Sequence, residues 1–296
     1  MESMDLSIII VSYNTADLIG TCIDSIVNAD GCNKEIIIVD NASTDGSADF
    51  IKRNYPSIHF IENEVNQGFA TANNQALRLS SGRYIFFLNP DAEFLPSTFH
   101  YLISYMDGNP YVGLAGIKMI NPDGTPQESF SLNYPGQSET STELIGLKGN
   151  VAWVLGAGMV VRAELIKSLG GFSEDFFVYG EDQDLCLNIR KMGYEIGYMD
   201  FVLAVHLGGQ SERMSTDADI WSRKTLAEFI FYHKHYLPKT VDKIYRSHVA
   251  KAYWRLFSLN VLLPFSKDKE EIEAKLIKYK AIVREIQKNL HERRGG

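Results

Sequence analysis

The first 110 residues alternate short apolar runs with segments whose apolar residues recur at helical spacing. The runs LSIIIVSYN at 6–14 and EIIIVD at 35–40 are almost wholly apolar, which is typical of strands buried on both faces of a sheet. Further strands are predicted at 58–63 and 84–94, with a helix after each of the first three strands. Strands that alternate with helices in this way predict an α/β fold with a mainly parallel sheet.

The alternation becomes irregular after about residue 110. Residues 121–150 are rich in Pro, Gly, Ser, Thr and Asn and show little periodicity, so we predict a long loop, which in a compact domain is usually functional or mobile. Strand and helix patterns then return, and they include a strand at 195–199 and a separate last strand at 201–209. From about residue 217 the pattern is wholly helical.

The last helical segment repeats apolar residues in alternating steps of four and three. These residues are Ile272, Leu276, Tyr279, Val283, Ile286 and Leu290. Such a stripe predicts self-association as a homodimer through residues 269–292, and the alternative is a helix that packs back on its own domain. We predict one domain over 1–212, with halves of about 1–110 and 111–212, and a helical extension over 213–296.

Composition and charge argue against several classes of protein. The 296 residues are 45% hydrophobic and 22% charged, which is ordinary for a globular protein. The net charge of −8 argues against a general nucleic-acid binder. Cys22, Cys32 and Cys186 have no C-x-x-C spacing, so neither a zinc site nor a disulfide framework is indicated. Because no charged-then-apolar leader and no membrane-length apolar run is visible, we expect a cytoplasmic protein.

Polar residues follow each of the first four predicted strands. They are Ser12, Tyr13 and Asn14, then Asp40 and Asn41, then Asn66, Gln67 and Gly68, and finally Asn89 and Asp91. The carboxyl ends of parallel strands share one edge of a sheet, so the four sets should converge. Any single set is explained by turn formation, but four sets together predict a ligand site.

The motifs that are missing restrict the ligand. The sequence has no P-loop, and GAGMVV at 156–161 lacks the third glycine of the dinucleotide fingerprint. An aspartate after a buried strand, beside other carboxylates or amides, suits Mg²⁺ or Mn²⁺ bound to a phosphate. Asp91 is the residue in that position.

A second acidic cluster stands where a later helix is predicted to begin. Glu181, Asp182 and Asp184 follow an aromatic run that includes Tyr179. Acidic residues in a first helical turn also stabilise the helix dipole, which is the structural explanation. Aromatic side chains ahead of carboxylates are a common way to wall a sugar pocket, which is the functional one.

Six motifs occur in the order found in a known enzyme family. They are SIIIVSYN, IIIVDNASTDGS, NQGFATANNQAL, FLNPDAEF, GAGMVVRAELIKSLGGFSEDFFVYGEDQDL and VHLGG. This order resembles the family 2 inverting glycosyltransferases, and it is most similar to the bacterial rhamnosyltransferase-like enzymes, in which an N-P-D triplet follows the fourth strand. The resemblance covers roughly residues 5–210. It implies a glycosyltransferase A-type fold, Rossmann-like, with a nucleotide-sugar half over about 1–110 and an acceptor half over about 111–212.

The resemblance implies a donor site and a metal cofactor. The implied donor-binding residues are Ser12, Tyr13, Asp40, Asn41, Gly68, Asn73, Asn74, Asn89 and Asp91. Tyr13 would stack near the base and Asp40 would contact it. Asp91 matches the metal-binding aspartate of the D-x-D motif and His206 matches a second ligand position, so Mg²⁺ or Mn²⁺ is expected. The first aspartate of the motif is Asn89 here, which predicts weaker metal binding.

The resemblance also implies a catalytic base and an acceptor region. Asp182, with Glu181 beside it, matches the base of the family's E-D motif, and Trp153 and Tyr179 are expected to border the acceptor. Trp153 also suits a core position. The expected reaction is an inverting transfer from a dTDP- or UDP-linked sugar, rhamnose among the candidates, to a hydroxyl of a glycan or polyprenyl-diphosphate-linked acceptor in cell-surface polysaccharide synthesis.

Two other functions are alternatives to that of a glycosyltransferase. Nucleotidyltransferases that make sugar nucleotides have a glycine-rich loop with a basic residue after the first strand, and VSYNTADLIG at 11–20 does not have that character. The other alternative is a non-catalytic nucleotide- or carbohydrate-binding module derived from a glycosyltransferase. Asp91 and Asp182 argue against it, whereas Asn89 keeps it open.

The helical extension predicts a contact with a membrane surface. Lys239, Lys243 and Arg246 are spaced three or four apart and share one helix face. The aromatic and apolar stretch YWRLFSLNVLLPF follows at 253–265. Anionic lipid attracts such basic segments, so we predict peripheral contact with the inner face of the membrane. A helical hairpin packed on the domain is the alternative.

Overall fold

The computed structural model describes residues 4–29, 31–94, 98–140, 142–208 and 215–295, except for the side chains of residues 203 and 289–295. The chain forms two compact units. One unit comprises Met1–Tyr134, Gly146–Phe177 and Glu181–Ser211, and the other comprises Pro135–Ile145, Val178–Gly180 and Glu212–Gly296. Two short segments of the predicted domain over 1–212 therefore cluster with the C-terminal helices.

The first unit contains the sheet. Its strands are β1 (Leu6–Ser12), β2 (Lys34–Asp40), β3 (His59–Glu62), β4 (Tyr84–Leu88), β5 (Ala92–Phe94), β6 (Val112–Ile120), β7 (Phe130–Ser131), β8 (Trp153–Val154), β9 (Gly158–Arg162) and β10 (Glu195–His206). Its helices are α1 (Ile19–Val27), α2 (Ser47–Asn54), α3 (Phe69–Leu77), α4 (Thr98–Gly108), α5 (Ala163–Ser168) and α6 (Glu181–Lys191). In the described part of the chain, eight strands form one sheet in the order β3-β2-β1-β4-β9-β6-β10-β5.

The sheet is mainly parallel, as predicted. Strands β3, β2, β1 and β4 are mutually parallel, and β6 is parallel to β10. Strand β9 runs antiparallel between β4 and β6, and β5 runs antiparallel beside β10. The register of the parallel strands pairs Ser12 with Asp40 and Asp40 with Glu62. The polar ends of these strands therefore lie on one edge of the sheet.

The apolar runs are continuous because both faces of the sheet are covered. Ile8, Ile10 and Phe86 belong to one buried cluster that includes residues of α1 and α4. Ile9 and Phe87, the next residues along the same strands, belong to a second cluster that includes residues of α3, α5 and α6. Successive side chains of a strand point to opposite faces, so each strand of this kind contributes to two cores.

The prediction of two late strands was wrong. Residues 195–206 form the single strand β10, whose pairing with β6 shifts register between Met199 and Leu203. Asp200 and Phe201 are exposed at this irregularity. They interrupt the apolar pattern, so the sequence indicated two strands instead of one. Position 209, the end of the predicted last strand, lies outside the described residues.

The predicted strand at 84–94 is two strands in the structure. Strand β4 ends at Leu88, and β5, which has only three residues, begins at Ala92 and pairs with β10 so that Ala92 lies opposite His206.

The predicted loop 121–150 contains short elements. Its strand β7 pairs with β8, which follows the loop, and Gln137–Glu139 form one 3₁₀ turn. The loop is thus partly ordered by short hydrogen-bonded segments.

The second unit contains the helices α7 (Asp217–His235), α8 (Pro238–Leu262) and α9 (Lys269–Gly295), with a 3₁₀ turn at Leu263–Phe265. The stripe on α9 packs against α7 and α8. Leu276 and Ile286 are buried there, while the side chain of Leu290 lies outside the described part. This is the alternative of a helix packed on its own chain, and self-association stays a prediction. None of the described helices is long and apolar enough to cross a membrane.

Candidate active site

The edge formed by β1 and β2 carries a buried carboxylate with an unused oxygen. Asp40 is 1% exposed, and its Oδ1 accepts a hydrogen bond of 2.9 Å from the Ser43 amide. Among the described residues, its Oδ2 has no hydrogen-bond partner. A buried polar atom in this condition is unfavourable unless a ligand or water completes it. Asp40 Oδ2 is therefore an unused hydrogen-bond acceptor at this edge of the sheet.

The neighbouring Asn41 has a different role. Its Nδ2 donates to Asn66 Oδ1 (2.9 Å) and Gly68 O (3.2 Å), and its Oδ1 accepts from Asn63 Nδ2 and the Gln67 amide, both at 3.0 Å. These four bonds use the whole hydrogen-bonding capacity of the amide. The Asn41 side chain thus holds the 63–68 loop, and its donor-binding role stays a prediction.

Asn74 is likewise a structural residue in α3. Its Nδ2 donates to Phe172 O (2.9 Å) and Glu174 Oε1 (3.0 Å), and its Oδ1 accepts from the Phe172 amide at 2.8 Å. The amide ties α3 to the segment after α5, and the donor role of Asn74 stays a prediction. Asn73 donates to Phe69 O at 2.9 Å within α3, and its donor role stays a prediction.

Gly68 allows α3 to approach the aromatic segment that precedes α6. Its φ is +83°, in the region that favours glycine, and a Cβ at this position would lie 2.6 Å from Phe177 O. The next amide, Phe69 N, donates to the same Phe177 oxygen at 2.7 Å. A side chain at residue 68 would therefore push apart the loop after β3 and the start of the acidic segment.

We expect Gly68→Ala to lower the free energy of unfolding by about 1–3 kcal/mol, since a non-glycine residue in this conformation is strained and the Cβ also clashes with Phe177. Gly46→Ala is the matched control, because Gly46 has φ +93° but open space around its Cα. Thermal denaturation of both variants compares the two effects. Equal losses would show that the contact with Phe177 is unimportant.

The ends of β4 and β10 bring three predicted residues together. His206 Nε2 lies 3.2 Å from Asp91 Oδ1, and both side chains are buried. Asn89 Nδ2 lies 3.5 Å from the same imidazole nitrogen. The pairing of Ala92 with His206 across β5 and β10 produces this arrangement. An imidazole nitrogen and a carboxylate oxygen thus converge at the sheet edge.

Gln127, which sequence reasoning missed, determines how His206 is presented. Its Nε2 donates to His206 O (2.7 Å) and to Asn121 Oδ1 (2.6 Å). Because a backbone carbonyl only accepts, the amide orientation is settled, and Gln127 Oε1 is the atom 2.8 Å from His206 Nδ1. His206 Nδ1 must then carry the hydrogen. In the neutral imidazole, the Nε2 lone pair faces Asp91.

The donor set fits a divalent cation that is held only partly by protein. Asp91 and His206 offer one oxygen and one nitrogen ligand, and the bond from Nδ1 to Gln127 is the kind of outer contact that orients a ligating histidine. Across the residues that the structure describes, no group of three or more His, Cys, Asp or Glu side chains is arranged to hold a metal. The remaining ligands would have to come from a bound diphosphate and water.

We expect Gln127→Leu to weaken Mn²⁺ binding, measured by calorimetry in the presence of nucleoside diphosphate, by about 10–100-fold. The ¹⁵N spectrum of His206 should show the Nδ1–H form in the wild type and lose that preference in the variant. Glu128→Leu changes an exposed neighbour and serves as the control. An unchanged tautomer and unchanged affinity in Gln127→Leu would remove this residue from the site.

The acidic cluster lies beside the same strand end. Asn89 N donates to Ala157 O at 3.1 Å, and the preceding residue, Gly156, donates its amide to Asp182 Oδ2 at 3.2 Å. Asp182 Oδ1 accepts from the Gln183 amide at 2.7 Å. The start of α6 therefore aims backbone N–H groups at the Asp182 carboxylate, within two hydrogen bonds of Asn89.

The two adjacent carboxyl groups differ in their surroundings. Burial raises the pKa of Glu181 well above its ordinary value, and the nearby Asp182 charge raises it further. Burial also raises the pKa of Asp182, but amide hydrogen bonds from Gly156 and Gln183 oppose the shift. Glu181 Oε2 is buried without a hydrogen-bond partner in the described structure. Burial therefore raises the pKa of both carboxyl groups, and backbone N–H groups stabilise the ionised form of Asp182.

The remaining predicted donor-side and acceptor-side residues have the following surroundings. Ser12 Oγ lies 2.8 Å from Thr15 Oγ1, and Tyr13 is half-buried after β1. Trp153 is half-buried in β8, with its indole N–H donated to Asn133 O at 3.1 Å. Tyr179 belongs to the second unit, has φ +69°, and lies under the Lys224 ammonium, 4.8 Å from the ring centroid. The acceptor roles of Trp153 and Tyr179 stay predictions.

The sequence is similar to those of known glycosyltransferases. It matches the model of glycosyl transferase family 2 over residues 7–170 and that of glycosyl transferase family group 2 over residues 137–266. It is 32% identical over 174 residues to a poly(ribitol-phosphate) beta-glucosyltransferase of Bacillus spizizenii, and the match covers 55% of this chain and 26% of that protein. It is 22% identical over 236 residues to an N-acetylglucosaminyl-diphospho-decaprenol L-rhamnosyltransferase of Mycobacterium tuberculosis, covering 68% and 75%.

Comparison with solved structures concerns the fold. The mannosyltransferase PcManGT from Pyrobaculum calidifontis, in complex with GDP-Man and Mn²⁺, superposes with a TM-score of 0.61 at 20% identity, over 98% of this chain and 88% of that one. The fold is therefore of the glycosyltransferase A type, as the order of motifs implied. This chain spans only about a quarter of the length of the Bacillus glucosyltransferase.

Proposed function

The chain belongs to glycosyl transferase family 2, and from this premise we propose that it transfers a sugar, with inversion, from a nucleoside-diphosphate donor to an acceptor hydroxyl. The observation that carries the proposal is the Asp182 carboxylate, buried at a helix start and linked through Gly156 and Ala157 to the strand end that holds Asn89. A base and a phosphate-binding edge in such proximity are what this transfer requires.

The donor is proposed to lie along the strand ends of the first unit. The unpartnered Asp40 Oδ2 supports a nucleobase there, since uracil, thymine and guanine each present a ring N–H from which this oxygen would accept a hydrogen bond. We propose a UDP- or dTDP-linked sugar, as the resemblance to rhamnosyltransferase-like enzymes implies. Ser12 and Tyr13, at the end of the adjacent β1, are proposed to contact the same nucleoside.

Asp91 and His206 are proposed to hold Mg²⁺ or Mn²⁺ beside the donor diphosphate. A bound cation of this kind stabilises the negative charge that develops on a departing diphosphate. Asn89, whose Nδ2 lies 3.5 Å from His206 Nε2, would help to keep the imidazole in place. Since the protein offers few ligands, we propose that cation and donor bind together rather than separately.

Asp182 is proposed to act as the general base. It takes the proton from the acceptor hydroxyl as that oxygen bonds to the anomeric carbon, and the bond from this carbon to the diphosphate oxygen breaks with its electron pair leaving on the diphosphate. Attack opposite the leaving group inverts the anomeric centre. Burial makes Asp182 more basic than an exposed aspartate, and the surrounding N–H groups keep it ionised.

The acceptor is proposed to be a growing glycan or a lipid-diphosphate-linked sugar in cell-surface polysaccharide synthesis, at the inner face of a membrane. The printed names of the two sequence relatives describe a polymer acceptor and a decaprenyl-diphosphate acceptor. Rhamnose is one candidate sugar, because one of these relatives is a rhamnosyltransferase. Trp153 and Tyr179 are the proposed acceptor-side residues.

A panel of UDP-, dTDP- and GDP-linked sugars, scored by calorimetry with Mn²⁺ present, tests the donor assignment. We expect the pyrimidine donors to bind more tightly than the GDP donors, and Asp40→Ala to weaken the binding of each donor that binds. Binding of none of these donors would contradict the proposed function. Unchanged affinities in Asp40→Ala would contradict the role of Asp40 alone.

A further inference from the structure

The exposed side of α8 and the 3₁₀ turn that follows it carry a group of large apolar side chains. Trp254, Phe257 and Phe265 are 65%, 63% and 84% exposed, and Val261 and Leu262 are exposed as well. Trp254, Phe257 and Val261 are spaced three and four residues apart and so share one side of the helix. We call these five residues the α8 apolar surface. Contiguous exposed apolar residues of this kind mark a site of contact with a protein or a membrane.

The fold of the second unit does not use this surface. Val241, Tyr245, Ala252 and Leu259 form the buried side of the same helix, and this side provides the packing with the rest of its unit. A soluble surface helix needs only one apolar side. The additional apolar residues of the exposed side therefore require an explanation other than folding.

The stretch of sequence that carries the α8 apolar surface has only positive charges. Between Lys243 and Lys267 the chain contains no Asp or Glu, although the whole chain carries a net charge of −8. Arg246, Lys251 and Arg255 lie in this stretch and are exposed, whereas Lys243 pairs with Glu139 at 2.9 Å. A locally basic surface on an acidic protein favours an anionic partner.

We propose that the α8 apolar surface and the adjacent Arg246, Lys251, Arg255 and Lys267 dock the protein on an anionic lipid bilayer. Tryptophan is favoured at the interface between water and hydrocarbon, and helices that lie in this interface combine apolar side chains with Lys and Arg. The long basic side chains reach lipid phosphates while their stems stay near the apolar surface.

A second copy of the chain fits this surface less well. A two-fold interface brings the same residues of both copies together, so it would oppose Arg246, Lys251 and Arg255 to their own equivalents. A bilayer with anionic headgroups offers the opposite charge and an apolar interior at once. The inference is independent of the proposed transfer reaction, because its test measures lipid binding alone.

The test is sedimentation of the full chain with vesicles at low salt. We expect binding to vesicles of phosphatidylcholine mixed with phosphatidylglycerol, and weaker binding to phosphatidylcholine alone. Lys251→Gln combined with Arg255→Gln should lower the partition onto mixed vesicles about 25-fold, at about fivefold per cation. Trp254→Ser combined with Phe257→Ser should lower binding to both kinds of vesicle.

Leu79→Ser is the matched control, because Leu79 is 55% exposed but belongs to the first unit. It should leave vesicle binding unchanged, and thermal denaturation should show that every variant is folded. The proposal is overturned if the wild type binds neither vesicle, or if Leu79→Ser reduces binding as much as the α8 variants. It is also overturned if the Trp254 and Phe257 variant keeps vesicle binding but loses mass in light scattering, which would assign the surface to self-association.

Discussion

Replacing Asp182 by asparagine should lower the turnover number by about 10²–10⁴, which is the usual contribution of a general base. Donor affinity should stay nearly constant, because the proposed role concerns the acceptor proton and not the diphosphate. The wild-type rate should fall as the pH drops through the pKa of Asp182, which burial places above that of an exposed aspartate. The asparagine variant should lack this acid limb.

Glu181→Gln is the matched control for this prediction. Burial raises the pKa of Glu181, which favours its neutral form, so a neutral glutamine should preserve turnover within a few-fold. A helix-capping role for Asp182 would give another outcome, since asparagine caps helices about as well as aspartate. Near wild-type turnover of Asp182→Asn would therefore remove Asp182 from the mechanism.

Replacing Asp91 by alanine should abolish detectable turnover and weaken the joint binding of Mn²⁺ and donor by at least about 100-fold. Residues that only hydrogen-bond to a metal ligand already contribute about 10–100-fold to metal affinity. A direct ligand such as Asp91 should contribute at least as much. After this change His206 would be the remaining protein ligand of the proposed pair. Calorimetric titration of Mn²⁺ with donor present measures the effect.

Two further variants test whether the loss of binding comes from ligation by Asp91. His206→Ala should be milder than Asp91→Ala, because it removes a neutral ligand and leaves the carboxylate. Glu93→Ala removes an exposed carboxylate two residues from Asp91 and should change affinity less than about twofold, as is usual for a single screened surface charge. If Glu93→Ala and Asp91→Ala weakened binding equally, general electrostatics rather than ligation would explain the loss.

The sequence was sufficient to predict the main sheet and the edge that carries the polar residues. Continuous apolar runs such as 6–14 indicate strands that are buried on both faces, and such strands predict a parallel sheet. In the structure, Ser12 and Asp40 are neighbours in that sheet. The acidic start of α6 was also visible, because Glu181 and Asp182 follow an aromatic run at a helical boundary.

The details that depend on tertiary contacts could not be predicted. Strand β5 is too short for a period, yet it places Asp91 beside His206. The role of Gln127 depends on an amide orientation that the His206 carbonyl settles. A sequence likewise does not show which segments a polar amide contacts, so the bonds by which Asn41 and Asn74 hold neighbouring segments could not be predicted.

The most direct test of the account is the release of nucleoside diphosphate, followed by ³¹P NMR, from each donor that binds in the presence of Mn²⁺. We predict slow release by the wild-type chain, even without an acceptor, and no detectable release by Asp91→Ala. The same spectra distinguish the transferase from a non-catalytic binding module. A wild-type chain that binds a nucleotide sugar but never releases nucleoside diphosphate, even with glycan and lipid-linked acceptors added, would contradict the account.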